Sequence, residues 1–385
     1  MHLKDLTEYQ LSGKRVLLRA DMNVPLQSGT IANTERIDRS LPTIKHILQE
    51  GGKIILLSHL GRPEETGKVQ EEFSLKPVVS YLEEKLQRPI PLTESLDSLR
   101  VLNGSFTVLE NIRFFKGEKS NDPNLAKKLG SFCDIFVLDA FAASHREHAS
   151  TTGVISFVNQ ACIGFLVREE LEALETIEKA NRPILAILGG AKISSKLSLI
   201  NALANKVDHL LLGGGIANTC LGSKGLEIGR SLVEPSLYSE ARNLVEKDNV
   251  LLPDKVVVAP NKESEPREVS VETLKKEDCI YDISPLYIDS IKKTFTEAKT
   301  IIWNGPMGLF EEDKFSLGTK AVAELITESE AYSVIGGGDT IAAAAQAKVL
   351  DSINYVSTAG GAFLNYLEGK PLPALLALEE KALES

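Results

Sequence analysis

Residues 183–196 read PILAILGGAKISSK: an apolar run, a Gly-Gly turn, and a lysine ahead of a stretch with helical periodicity. A short continuous apolar run bounded by turn residues predicts a strand buried on both faces, and the helix that follows predicts a crossover to a parallel neighbour. The same unit recurs about ten times along the chain. Before residue 150 its runs and tips are RVLLRADMN (15–23), KIILLSHLGRP (53–63), FTVLENIRF (106–114) and DIFVLDAFAASHR (134–146). Later ones are HLLLGGG (209–215), KVVVAP (255–260), TIIWNGP (300–306), SVIGGGD (333–339) and NYVSTAGG (354–361). Strands alternating with helices give an α/β class, and ligands of such sheets bind at the carboxyl ends of the strands.

The tips divide into two sets. The early ones carry Arg, His, Asp and Asn, whereas the late ones carry Gly clusters, a lysine and an aspartate. This predicts two doubly wound parallel-sheet (Rossmann-like) domains with different ligands. Between them, GFLVREELEALETIEKANRP (164–183) repeats apolar residues at helical spacing and stops at Pro183, which predicts a hinge helix. The expected division is 1–165, a connecting helix over 166–182, and 183–364, with 365–385 free to pack on the first domain.

Composition narrows the function. The chain has 385 residues, 43% hydrophobic and 25% charged, as a soluble protein of two or three domains requires. Its net charge of -10 disfavours broad binding to nucleic acid or anionic lipid. The charge is unevenly placed: residues 1–165 hold 20 basic and 20 acidic side chains, so the whole excess lies in 166–385. Nine of the 14 Arg lie in that neutral first part. No apolar run approaches the length of a membrane span, and MHLKDLTEYQ lacks the plan of a secretory signal, so a cytoplasmic location is expected. Cys133, Cys162, Cys220 and Cys279 are widely spaced and suggest neither disulfides nor zinc.

In the first half, Asp21, Asn23, Arg36, His59, Arg62, Arg113 and Arg146 lie at or near strand tips. A single Arg usually pairs with a surface carboxylate; several at one sheet edge form a clamp for phosphate or carboxylate. His59, three residues before Arg62, suits phosphate binding better than proton transfer, and the i, i+3 pair His145 and His148 lacks a third metal ligand. In the second half, Gly189, Gly190 and Lys192 open a helix, and Gly213–Gly215 and Gly336–Gly338 repeat the glycine cluster. Each cluster alone is explained by tight packing. Three on one edge point to a phosphate-rich ligand approached by backbone N–H groups. Neither G-x-x-x-x-G-K-[ST] nor G-x-G-x-x-G occurs, which disfavours a nicotinamide-dependent dehydrogenase. Asp339 beside bound phosphates suggests Mg²⁺, or else an N-cap for the helix IAAAAQA. Trp303 and Asn304 precede a tight turn, with Trp303 a candidate core residue.

In family order, RVLLRADMNVPL, SHLGRP, LENIRF, DAFAASHREHAST, GGAKISSK, WNGPMGLFE, GGGDT and STAGGA make the chain resemble phosphoglycerate kinase over nearly its full length. The resemblance implies a glycolytic, Mg²⁺-dependent kinase that moves a phosphoryl group between ATP and the carboxylate of 3-phosphoglycerate, giving ADP and 1,3-bisphosphoglycerate, and acts as a monomer. By motif, Asp21, Asn23, Arg36, His59, Arg62, Arg113 and Arg146 fall on the phosphoglycerate site. Lys192, Lys196, Gly213, Gly214, Asn304, Glu311 and Gly336–Thr340, which includes Gly337, Gly338, Asp339 and Thr340, fall on the nucleotide site. Arg36, Lys192, Gly338 and Gly361 fall around the transferring group, and Asp339 on the metal. The acceptor is already ionised at neutral pH, so an Arg, Lys and Gly site without a general base is chemically sufficient. Ser195, Asn218, Cys220, Asp254, Ser284 and Ala359 depart from the family pattern, and a φ > 0 requirement at 359 would strain an alanine by roughly 1 kcal/mol or more. A non-catalytic binding protein on the same fold is the remaining alternative, distinguished by binding without turnover.

Overall fold

The computed structural model describes residues 2–101, 104–179 and 181–384. Its chain divides into two compact units, one formed by Met1–Ala173 with Pro371–Ser385 and the other by Leu174–Lys370.

The first unit is a six-stranded, wholly parallel sheet. Its strands are β1 (Arg15–Ala20), β2 (Lys53–Leu57), β3 (Leu92–Thr93), β4 (Phe106–Leu109), β5 (Ile135–Asp139) and β6 (Gln160–Ile163), in the order β3-β4-β2-β1-β5-β6. In β1, Val16, Leu17 and Leu18 are fully buried because helices cover both faces. Each such aliphatic side chain contributes roughly 1.5–3 kcal/mol of burial. Helix α1 (Glu35–Gln49) packs Ile37, Ile44 and Ile47 into that core and carries Arg36 in its first turn.

Over the stretch expected to connect the domains the helix is α2 (Phe165–Glu178), and the division between the units falls inside it, at Ala173/Leu174. Its N-terminus is fixed by Phe165 N–H donating to Thr43 Oγ1 (3.0 Å) and Leu166 N–H donating to Asp139 Oδ1 (2.9 Å).

The second unit holds β7 (Ile184–Leu188), β8 (His209–Leu212), β9 (Val250–Leu251), β10 (Lys255–Ala259), β11 (Arg267–Ser270), β12 (Cys279–Ile283), β13 (Thr300–Asn304), β14 (Tyr332–Gly336) and β15 (Tyr355–Ser357). Six of them form a parallel sheet in the order β9-β8-β7-β13-β14-β15. The KVVVAP run departs from the parallel pattern: β10 lies between β11 and β12 in a separate antiparallel sheet. Val256 and Val258 face one apolar cluster while Val257 and Ala259 face another around Phe315, so the strand is buried on both sides and reads like a parallel one. Helices α3 (Leu197–Ala204), α4 (Gly214–Ser223), α5 (Gly338–Gln346) and α6 (Gly361–Leu367) follow the strand tips. The last helix, α7 (Pro373–Glu384), belongs to the first unit, where Ala374 N–H donates to the Ser144 carbonyl (3.1 Å). All four cysteines are free thiols, and no described helix is long and apolar enough to cross a membrane.

Candidate functional site

In the first unit, the carboxyl ends of four adjacent strands deliver the clamp. Asp21 and Asn23 follow β1, His59 and Arg62 follow β2, Arg113 follows β4, and Arg146 follows β5. Arg36 reaches the group from α1, donating to Asp21 Oδ2 at 2.7 Å. Asn23 Oδ1 accepts from Gly61 N–H (2.9 Å), which ties the β1 and β2 tips. Arg113 donates from NH1 to the Gly61 carbonyl (2.6 Å), whereas its buried Nε has no hydrogen-bond partner.

Charge accumulates here. Burial, followed by Arg146 and Arg19, brings the Arg113 guanidinium down to about 10. Burial also lowers Arg146, with Arg62 and Arg36 pushing the same way against Asp21. His59 is buried and held well below the ordinary imidazole range, first by desolvation and then by Arg19, Arg113 and Arg146. It is therefore neutral. A buried orphan guanidinium nitrogen inside mutually repelling cations is what an anion would satisfy.

Arg19, in the middle of an apolar strand run, was not assigned to the clamp from sequence, yet it lies 1% exposed beneath it and touches His59. The charged letter inside RVLLRA was the available signal. In HREH, His145 Nε2 accepts from Arg146 Nε (3.2 Å), and among the described residues no group of three or more His, Cys, Asp or Glu is placed to hold a metal ion.

The second unit shows that its glycines have two different reasons. A Cβ on Gly189 would lie 1.9 Å from the Pro306 carbonyl oxygen, and one on Gly215 would lie 2.0 Å from that of Ala191. At Gly214 the left-handed φ of +61° coincides with a 2.7 Å approach to the Gly190 carbonyl oxygen. These residues let neighbouring tips touch. Gly338, by contrast, has ordinary φ and nothing within 4 Å of its would-be Cβ, so packing gives it no reason to be glycine.

Lys196 Nζ donates to the carbonyls of Gly189 (2.7 Å) and Asn304 (3.1 Å), joining the β7 and β13 tips. Burial lowers it to about 8, opposed by nearby Asp339. Thr340 Oγ1 accepts from Gly305 N–H (2.7 Å) and donates to Gly336 (2.8 Å), while Asn304 Nδ2 also donates to Gly336. Asn304 and Thr340 thus lock the β13 and β14 tips together. Gly337, with φ +95°, is the cap of α5; the Asp339 carboxylate stands exposed in that helix's first turn and makes no capping bond. Lys192 is exposed after β7, and Gly361 opens α6 after β15. The left-handed residue of that last tip is Gly360 (φ +53°), so Ala359 is buried without the anticipated strain. Ser284 likewise fits its place, capping the helix Pro285–Ser290 by accepting from Tyr287 N–H (3.2 Å).

Beside these tips lies a cavity of about 500 Å³ between the parallel and antiparallel sheets. Gly213, Gly214, Glu311 and Asp339 line it, together with Asn218, Leu232, Tyr281 and Phe310. Leu232 and Tyr281 belong to none of the sequence motifs, whereas Phe310 lies in WNGPMGLFE just before Glu311. Asn218 Nδ2 donates to the Leu232 carbonyl (3.3 Å), whereas Cys220 is buried in α4 away from the cavity lining. Trp303 is fully buried and donates to the Gly305 carbonyl (2.9 Å), a core role that also fixes the turn.

The phosphoglycerate kinase family model matches residues 6–370. Among solved structures, phosphoglycerate kinase from Coxiella burnetii is similar at a TM-score of 0.93 and 42% identity, covering 99% of this chain and 100% of that one. Phosphoglycerate kinase from Pyrococcus horikoshii OT3 is similar at 0.84 and 27%, with coverage of 99% and 100%.

Proposed function

We propose that this chain, which belongs to the phosphoglycerate kinase family, divides its reaction between the two strand edges just described. The reaction itself is the family's reversible phosphoryl transfer between ATP and the carboxylate of 3-phosphoglycerate.

The first unit binds phosphoglycerate. Its carrying observation is the buried Arg113 Nε without a partner, among arginines whose charges oppose one another. Asp21 holds Arg36, His59 offers a neutral N–H, and Arg62, Arg113 and Arg146 meet the anionic groups while Asn23 sets the tip. The second unit binds ATP or ADP: the apolar cavity takes the nucleoside, Glu311 its rim, and the tips bearing Lys192, Lys196 and Gly336–Thr340 the phosphates. One exposed carboxylate, Asp339, fits Mg²⁺ that keeps most of its coordination from phosphate and water. That ion would neutralise charge on the phosphates.

An ionised acceptor needs no base, so the chemistry asks only for alignment of the reactants and neutralisation of charge on the transferring group, a task we assign to Arg36 in the first unit and to Lys192 and the backbone at Gly338 and Gly361 in the second. We assign the enzyme to the cytoplasm as a monomer; four free thiols fit a reducing compartment. A coupled assay with ATP and 3-phosphoglycerate should give turnover that disappears without Mg²⁺. Nucleotide binding with no turnover under those conditions would reject the kinase reading in favour of a non-catalytic binder.

The nucleotide site has a pH signature. Lys196 titrates at about 8 in the folded protein, and triphosphate beside it favours the cation. Below that pH the lysine is charged before and after binding, so no proton is taken up. Above it, binding should take up close to one proton and affinity should fall. Calorimetry near pH 9 in buffers of different ionisation heat reads this directly.

A further inference from the structure

We infer that Glu118, Ser150 and Arg19 form a buried relay that positions His59 as a neutral hydrogen-bond donor to phosphoglycerate, with the proton on Nε2. This rests on the placement of His59 in the acceptor site. Glu118 and Ser150 are wholly buried, Arg19 is 1% exposed and His59 5%. Ser150 meets the Glu118 carboxylate twice, through its hydroxyl to Oε1 (2.6 Å) and its backbone N–H to Oε2 (3.0 Å). The same hydroxyl oxygen accepts from Arg19 Nε (3.0 Å), and Arg19 NH1 is fixed on the Ala20 carbonyl (2.6 Å). The remaining guanidinium nitrogen, NH2, lies 3.0 Å from His59 Nδ1.

The direction of the last bond follows from chemistry alone. A guanidinium only donates, so Nδ1 must be the acceptor and the ring hydrogen must sit on Nε2. Arg19, Arg113, Arg146 and His148 all face the ring and oppose a second proton. Glu118 in turn faces Arg19, Arg113, Ser150 and His148, whose Nδ1 is 3.7 Å from Oε1. Glu118 and Ser150 therefore act through Arg19: they lock its rotamer, and it selects the imidazole tautomer. Without them His59 is free to present a lone pair to an anionic ligand, which repels it.

The test is ¹⁵N NMR of histidine-labelled protein, with the His59 signals assigned by their loss in His59→Asn. The expected spectrum at about pH 6 to 8 has a bare Nδ1 and a protonated Nε2, with no titration between, before and after addition of 3-phosphoglycerate. Ser150→Ala should mix the tautomers and raise KM for phosphoglycerate by about three- to tenfold, as the loss of one hydrogen bond predicts, with kcat within about twofold. Ser150→Thr, which keeps the hydroxyl, should restore the tautomer. A protonated Nδ1 or a cationic ring in the wild type overturns the relay even if Ser150→Ala fails to fold, and so does an unchanged KM in a folded Ser150→Ala. His59 signals that ignore 3-phosphoglycerate, with wild-type KM in His59→Asn, would instead reject the site assignment itself.

Discussion

Lys192→Ala is expected to lower kcat by about 10²–10³-fold or more while leaving the Kd for 3-phosphoglycerate unchanged. The lysine is exposed at the β7 tip, and Ser195 Oγ donates to its backbone carbonyl at 2.7 Å, so the turn is held without help from the side chain. Stability should shift by no more than about 0.5 kcal/mol, the usual range for an exposed substitution. The kinetic loss arises because charge on the three equatorial oxygens of the transferring group has to be met by fixed cations. Lys196 cannot stand in, since its Nζ is held on the Gly189 and Asn304 carbonyls. Phosphoglycerate binding is spared because the residues we propose for it belong to the other unit. Steady-state kinetics in both directions, with equilibrium binding of the acceptor, measure the split. A rise in KM with unchanged kcat would show that Lys192 holds substrate and transition state equally, and would overturn its assignment to the transferring group.

Two glycines at strand tips of the same sheet should behave in opposite ways. Gly338→Ala meets empty space at a helical position with ordinary φ, so the added methyl should leave Tm unchanged or slightly higher, helix propensity favouring alanine by about 0.5–1 kcal/mol. The same methyl stands where we propose that phosphate approaches the backbone, and a displacement of about 1 Å costs on the order of 10²-fold in kcat. Gly189→Ala puts its methyl 1.9 Å from the Pro306 carbonyl oxygen and 2.7 Å from that of Gly305, a clash of backbone with backbone. Overpacking of this kind costs about 1–3 kcal/mol, and more where backbone must move, so Tm should drop and activity should follow the folded fraction. Thermal melts and specific activity of the two variants decide the matter. Full activity in Gly338→Ala would mean that no phosphate passes there.

The difference between those glycines marks the limit of what sequence carries. GGAK, GGG and GGGD look alike as strings, and their common position at strand ends is legible because apolar runs, turns and helical spacing are local patterns. Whether a glycine admits a ligand or a neighbouring carbonyl depends on what the fold brings from Pro306 or Ala191, which no local window contains. KVVVAP is a similar case: burial on both faces fixes its apolar letters, and its antiparallel pairing with residues 267–270 and 279–283 comes from tertiary contacts.

The sequence by itself determined the α/β class, the two unlike sets of strand tips, the Arg-rich neutral first part and the family, because each is written in order, spacing and composition. Only the tertiary structure decided which of those residues share an environment. It set Arg19 beneath His59 and joined it through Ser150 to Glu118, residues 131 and 32 positions apart along those two links. It also built the apolar wall of the second unit's cavity from Leu232 and Tyr281, which lie outside every motif quoted above, together with Phe310 of WNGPMGLFE. Burial and charge–charge opposition act through space, and they bring Arg113 down to about 10 and hold His59 well below the ordinary imidazole range.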